Sequence, residues 1–107
     1  MSPPVPRRGE VWWYEHPDAM RRPYVVLTRS EAAEVLHQLV AAPATTTVRD
    51  IPTEVPLDRA DGMPVDCVLN LDNVTLVRTA LLTERITVLD PSRMDECCAA
   101  LAAATDC

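Results

Sequence analysis

The sequence predicts an α+β domain: a strongly bent antiparallel sheet or small barrel, finished by one helix. Three observations carry that expectation. Short apolar runs recur at close intervals and are punctuated by proline and turn signals, the pattern of many short strands. Ile51, Thr53, Val55 and Leu57 alternate strictly with Pro52, Glu54 and Pro56, the period of a strand. After Asp90-Pro91, the residues Met94, Cys97, Cys98 and Leu101 fall at i, i+3, i+4 and i+7, the period of an amphipathic helix.

Taken in order, Val11 to Tyr14 reads as a strand, β-branched and aromatic between Gly9 and Pro17. A polar loop, Glu15 to Arg22, leads to Pro23–Thr28, a nearly unbroken apolar run that fits a strand buried on both faces. Ser30 is suited to cap a helix from Glu31 to about His37, with Glu31 favourable in its first turn. Leu39 to Ala42 reads as a strand ended by Pro43, followed by a threonine-rich loop from Ala44 to Asp50. The prolines on one face of residues 51–57 mark an edge strand. Asp61-Gly62 is a turn signal, and Val65 to Leu69, Asn73 to Val77 and Glu84 to Leu89 are further strand candidates, with a helical turn at Arg78 to Leu82. Asp90 as N-cap and Pro91 at the first helical position open the last helix.

The chain has 107 residues, which predicts one domain over 1–107, with residues 1–6 as a flexible, Pro-rich tail. A domain of that size buries roughly two-thirds of its unfolded surface. There is no Phe, and all four large aromatics lie in the first quarter, so the core is thin and a dimer interface is a natural supplement. No run approaches the ~18 apolar residues of a membrane span, and the N-terminus lacks the pattern of a signal peptide; the expected compartment is the cytosol. Cys67, Cys97, Cys98 and Cys107 lack paired zinc spacing and read as packing residues or idle thiols.

Net charge is −6, which argues against a global field for nucleic acid. The distribution is uneven: residues 1–49 sum to +1 and residues 50–107 to −7. Every basic residue is Arg, the better fork for phosphate, although the codon bias of a GC-rich genome is the simpler account of the preference. The chain has no serine elbow, no phosphate-binding glycine loop and no metalloprotease helix, and its two histidines, His16 and His37, do not form a metal pair. No cofactor or metal is expected. What remains is Arg21-Arg22 before one apolar strand and Thr45-Thr46-Thr47 with Arg49 after another. If those strands are neighbours, guanidinium forks and hydroxyls meet in one cleft suited to phosphate. The alternative is a solvated Arg pair and a threonine-rich turn.

Seven segments carry a resemblance: Arg8-Gly9-Glu10-Val11-Trp12-Trp13; Arg22-Pro23-Tyr24-Val25-Val26-Leu27-Thr28; Val40-Ala41-Ala42-Pro43-Ala44-Thr45-Thr46-Thr47; Ile51-Pro52-Thr53-Glu54-Val55-Pro56-Leu57; Asp61-Gly62; Asn70-Leu71-Asp72-Asn73-Val74; and Asp90-Pro91-Ser92-Arg93-Met94. In this order they resemble the MazF (PemK-like) toxin family over residues 7 to about 104. The resemblance implies an SH3-like, strongly bent β-barrel of the CcdB/MazF kind, a homodimer, a cognate MazE-like antitoxin, and cleavage of single-stranded RNA at short motifs. Arg22 falls where the family has its catalytic Arg, and Thr45 where it has its catalytic Thr. The loop from Glu15 to Arg21 departs from the family pattern. It is shorter than in many members and has no Gly, so base preference does not carry over.

RNA supplies its own nucleophile, the 2′-OH, so these residues need only hold the strand, stabilise the phosphorane and move a proton. Arg22 is the expected phosphate fork and Thr45 the hydroxyl donor. His16 is a possible general base, since Arg titrates far above neutrality; His37, near a helix end, reads as structural. Arg21, Thr46 and Arg49 are candidates for neighbouring phosphates or bases. Asn70, Asp72 and Asn73 either read base edges or form turns. One of Trp12 and Trp13 belongs to the core, and the other is left to stack on a base or line a dimer seam. Two alternatives stay open: a CcdB-like gyrase-inhibiting toxin, and a catalytically silent SH3-like binding module.

Overall fold

A computed structural model describes residues 5–106. Seven strands and two helices follow one another as β1 (Glu10–Tyr14), β2 (Arg22–Val26), α1 (Ser30–Ala33), β3 (Gln38–Thr45), β4 (Glu54–Leu57), β5 (Cys67–Asn70), β6 (Thr75–Arg78), β7 (Leu82–Val88) and α2 (Pro91–Thr105). Single 3-10 turns lie at Arg59–Asp61, Leu71–Asn73 and Thr79–Leu81. The sheet order is β4-β5-β3-β2-β1-β7, every pairing is antiparallel, and β6 pairs the first half of β3.

The central strands β1, β2 and β3 feed a core on each face of the sheet, as the unbroken apolar run at Pro23–Thr28 predicts for β2. One face contributes Val11, Val25, Ala42 and Ala44 to a core shared with β4, β5 and α2. The other contributes Trp12, Tyr14, Val26, Leu39 and Ala41 to a second core with Ala33, Val77 and Leu82. The strand period of two sorts these residues between the cores. It also resolves the tryptophan pair: Trp12 is 4% exposed in the second core, and Trp13 points the other way. Trp12 Nε1 donates to buried Glu10 at 3.0 Å, and the same carboxylate accepts from Arg7 N–H and Arg85.

Several expected boundaries shift. Pro43 does not end β3, and Ala44 and Thr45 belong to the strand rather than to the loop. Pairing with β6 runs through Ala41 and pairing with β5 begins at Ala44, so Pro43 sits where the strand changes partner and its missing N–H costs little. The first helix is a single turn and does not reach His37, because Thr79 pulls the chain away: its N–H donates to His37 O and its hydroxyl to Leu36 O. Ser30 is the first helical residue; the N-cap position is Arg29, without a side-chain cap. Ile51–Thr53 form a turn before β4, which is an edge strand as expected. Asn73 lies in a 3-10 turn, Val65 precedes β5, and β7 starts earlier, at Leu82. Of the expected tail, residues 1–4 lie outside the described residues and Pro6 is buried; Cys107 also lies outside them. On α2 the buried stripe is Cys97 and Ala100, flanked by Met94 and Leu101, whereas Cys98 is exposed.

The sheet bends without closing strand to strand. The opening is bridged by the turn at Arg59–Asp61: Thr87 Oγ1 donates to Asp61 O at 2.8 Å, and Arg93 of α2 pairs with the Asp61 carboxylate at 3.0 Å. Burial alone would raise the Asp61 carboxyl, but the hydrogen bonds from Arg93 and from Asp58 N–H outweigh it and hold the group below its ordinary range. A carboxyl depressed in the folded state stabilises the fold above its unfolded pKa, and the gain is lost as pH falls through the folded value. Melting temperature is therefore expected to fall as pH drops below about 4. Arg93→Met should flatten that dependence while keeping the Arg93 N–H bond to Asp90; an unchanged pH profile in that variant would remove the bridge from the account.

Candidate active site

β2 and β3 are neighbours, which meets the condition the sequence left open. Their register pairs Tyr24 with Pro43, Val25 with Ala42 and Val26 with Ala41. Carried two residues further, it sets Arg22 opposite Thr45 at the end of the sheet. Arg22 also opposes Tyr14 of β1, and Thr45 opposes Val68 of β5.

Two clefts meet at this pair. The wider, about 330 Å³, is lined by Trp13, Met20, Arg21, Pro23, Thr46 and Met63 among others. The narrower, about 160 Å³, is lined by Pro43, Thr47, Arg49, Asn70 and Asn73. Arg22 and Thr45 line both. The structure thus gathers Arg21, Arg22, Thr45, Thr46, Arg49, Asn70 and Asn73 around one sheet end. Asp72 lines neither cleft; its carboxylate accepts from Thr53 Oγ1 at 2.6 Å. Asn70 is buried and caps the 3-10 turn, its Oδ1 accepting from Asp72 N–H at 3.0 Å, so its side chain is a turn former. His16 is exposed and lines neither cleft. Its Nδ1 accepts from Asp18 N–H at 3.0 Å and its ring packs edge-on against Tyr14. His37 lies at the opposite end of β3, just before Gln38.

The arginines differ in their partners. Arg7, Arg21, Arg85 and Arg93 are each ion-paired, whereas among the described residues Arg8, Arg22, Arg29, Arg49, Arg59 and Arg78 have no carboxylate partner; of these six, Arg22 and Arg49 line the two clefts. Arg21 is tied to Glu15 at 3.0 Å and Glu84 at 3.1 Å and lies over the Trp13 ring, 4.3 Å from its centroid. It is built into the wall of the wider cleft. A guanidinium without a carboxylate keeps its whole fork for a phosphate.

Thr45 Oγ1 accepts from Thr47 N–H at 3.1 Å, which fixes the hydroxyl and leaves its own hydrogen to donate outward. Burial pushes the Tyr24 phenol up, against the opposing pull of Arg22, so it stays protonated near neutrality. Burial likewise raises the Cys67 thiol, which lines the wider cleft as a neutral group and not as a thiolate. Among the described residues no group of three His, Cys, Asp or Glu is arranged to hold a metal ion. Of the tryptophan pair, Trp13 is the one left to line the wide cleft; Glu54, whose carboxylate holds the loop that carries Arg49, was missed. Glu54 gave no signal, because its partners are backbone N–H groups.

The model of the PemK-like, MazF-like toxins of type II toxin–antitoxin systems matches residues 7–105. The chain belongs to this family. Among relatives of the MazF-like toxin, "Probable endoribonuclease MazF5" of Mycobacterium tuberculosis is 43% identical, with 96% of this chain and 95% of the relative covered. "Probable endoribonuclease MazF2" of the same species is 42% identical over 94% and 99%. Among solved structures, the M. tuberculosis toxin MazF-mt6 superposes with a TM-score of 0.84 at 30% identity, covering 91% of this chain and 96% of that one. A mycobacterial endoribonuclease in complex with its cognate antitoxin gives 0.86 at 25% identity, covering 95% and 96%. The bent antiparallel sheet with its C-terminal helix is the fold of these toxins, and neither the gyrase inhibitor nor the silent binding module is favoured.

Proposed function

We propose that this MazF-like endoribonuclease cleaves single-stranded RNA by attack of the substrate's own 2′-OH, with Arg22 and Thr45 at the scissile phosphate. The observation that carries the reading is the pair itself: an Arg without a carboxylate partner opposite an oriented threonine hydroxyl, where two clefts meet. Arg22 would fork onto the non-bridging oxygens as their charge grows. The Thr45 hydroxyl would donate to one of them and hold the strand in line. The 2′-OH gives up its proton to water and its oxygen bonds to phosphorus as the P–O5′ bond breaks, and the departing 5′-oxygen takes a proton from water, so the products are a 2′,3′-cyclic phosphate and a 5′-OH. Arg49, Asn70 and Asn73 would follow the strand along the narrow cleft, and Trp13 offers an apolar wall, with one flank for a base, in the wide one.

The test is cleavage of a mixed-sequence single-stranded RNA in excess EDTA with mapping of product ends. Cleavage with 5′-OH ends supports the reading; a requirement for divalent metal, or 5′-phosphate ends, overturns it. His16→Ala belongs in the same experiment and is expected to match wild type in rate and pH profile, because its ring stands outside both clefts. A changed pH profile would make His16 the base.

The relative solved with its cognate antitoxin supports a MazE-like antitoxin partner here, and a cytoplasmic setting goes with that reading. Among the described residues no helix is long and apolar enough to cross a membrane. We infer a homodimer formed through the β3–β6 face. Val40 and Leu76 are a cross-strand pair, 38% and 58% exposed, Leu36 stands beside them at 46%, and β6 has β3 as its one strand partner among the described residues. Sedimentation should give twice the chain mass of 11.8 kDa for wild type and a monomer for Leu76→Glu. A monomeric wild type would refute the dimer.

A further inference from the structure

We propose that Glu54 is a positioning residue for RNA binding, acting through the threonine loop. The inference rests on the endoribonuclease reading and names what holds one wall of that site. Loop residues 46–53 have no regular structure, yet Arg49 in their midst lines the narrow cleft beside Arg22 and Thr45. A loop of that length must be tied down before one of its side chains can serve as a fixed phosphate contact. The tie is the Glu54 carboxylate. Its Oε1 accepts from Arg49 N–H at 3.0 Å and from Asp50 N–H at 2.9 Å, and its Oε2 lies 3.3 Å from Arg49 N. Asp50 adopts a left-handed φ of 55°, so the chain reverses there and brings two successive N–H groups onto one carboxylate.

Glu54 is itself rigidly placed. It pairs with Asn70 across β4 and β5, and next to it Thr53 accepts Leu71 N–H and donates to Asp72. The same two residues, 53 and 54, therefore fasten both the arginine wall and the asparagine wall of the narrow cleft. A carboxylate this close to an RNA track is a liability if its charge faces the strand. Its role is geometric, with the oxygen turned to backbone N–H groups.

Two substitutions separate geometry from charge. Glu54→Gln loses the charge but keeps a carbonyl oxygen at the same reach, able to accept both N–H groups. Glu54→Asp keeps the charge but is shorter by one methylene and does not reach both. We expect Glu54→Gln to match wild type. Glu54→Asp is expected to raise KM for a long RNA about tenfold with kcat little changed, which corresponds to one lost charge-assisted contact. Arg49→Ala should show the same KM defect, and the double variant Glu54→Asp/Arg49→Ala no more than Arg49→Ala alone. Each defect should lower the slope of log affinity against log salt by about 0.7, one single-strand phosphate.

Binding of the same RNA with every ribose 2′-O-methylated is measured in parallel. It reports the Arg49 wall without cleavage, so a failure of the nuclease reading and a failure of this one are told apart. Additive defects in the double variant, or a defect in Glu54→Gln with none in Glu54→Asp, would overturn the proposal. Protection of the Arg49 and Asp50 amides from hydrogen exchange, lost in Glu54→Asp and kept in Glu54→Gln, is the matching structural readout.

Discussion

Arg22→Ala is expected to slow RNA cleavage by about two to three orders of magnitude, the usual cost of removing one donor aimed at developing charge, while the melting temperature stays at the wild-type value. The second half of that expectation comes from the fold. Arg22 is exposed at the mouth of β2 and has no carboxylate partner among the described residues, so its loss leaves no buried charge and breaks no ion pair. Arg21, one residue earlier, is the contrasting control. It holds Glu15 and Glu84 and covers Trp13, so Arg21→Ala should disturb the wide cleft and stability together. Arg22→Lys keeps the charge without the planar fork and should recover only part of the rate. Thr45→Ala removes one hydroxyl donor to a charged oxygen and should cost about 10- to 100-fold. Because both groups would act on one phosphate, the double variant should be less impaired than the product of the single effects. The measurement is single-turnover cleavage of a mixed-sequence RNA, with thermal melting alongside. A folded Arg22→Ala protein that cuts at the wild-type rate would remove Arg22 from the chemistry.

From residue type and spacing the Arg22–Thr45 site was legible as two polar segments, each next to an apolar strand, and the family resemblance singled out the two residues within them. Residue type gave the chemistry; adjacency of β2 and β3 had to come from the structure, because antiparallel neighbours are not encoded locally. Strand existence was read well where alternation or an unbroken apolar run was long, as at β2 and β4. Boundaries failed where a distant partner decided them. Pro43 looks like a terminator until β3 is seen to change partner there. Val35 to His37 has an acceptable helical pattern, but Thr79 binds the carbonyls of Leu36 and His37 and the helix stops after one turn. Carboxylates were the least legible. Glu10, Glu54 and Glu84 each take partners that the sequence alone does not bring together: Arg85, loop N–H groups and Arg21. Asn70 and Asp72 allowed two readings: the Asn70 side chain caps the turn while still lining the cleft, and the Asp72 carboxylate turns away from the cleft to Thr53.

Gly62→Ala is expected to be the most damaging single substitution for stability, at about 2–5 kcal/mol from a left-handed backbone cost and overpacking combined. Gly62 ends the turn at Arg59–Asp61 with φ +94°, where an L side chain is strained whatever the space. There is also no space. An added Cβ would lie 2.8 Å from Thr87 Cβ and closer still to its hydroxyl. Thr87 is β-branched and fixed in β7, and its hydroxyl already donates to Asp61 O, so the neighbour has nowhere to go. The clash falls at the bridge between the two ends of the open sheet, where Arg93 also grips Asp61. A drop in melting temperature of at least about 10 °C follows for a domain of this size. Met63, directly after Gly62, lines the wide cleft with Arg22 and Thr45, so RNA cleavage by the variant should be lost on mild warming while wild type still cuts. Thr87→Gly in the same chain relieves the steric part but not the backbone part, so the double variant should regain only some of the loss. If Gly62→Ala melts with wild type, the sheet opening is not held at this turn, and the acid sensitivity assigned to Asp61 and Arg93 would have to arise elsewhere.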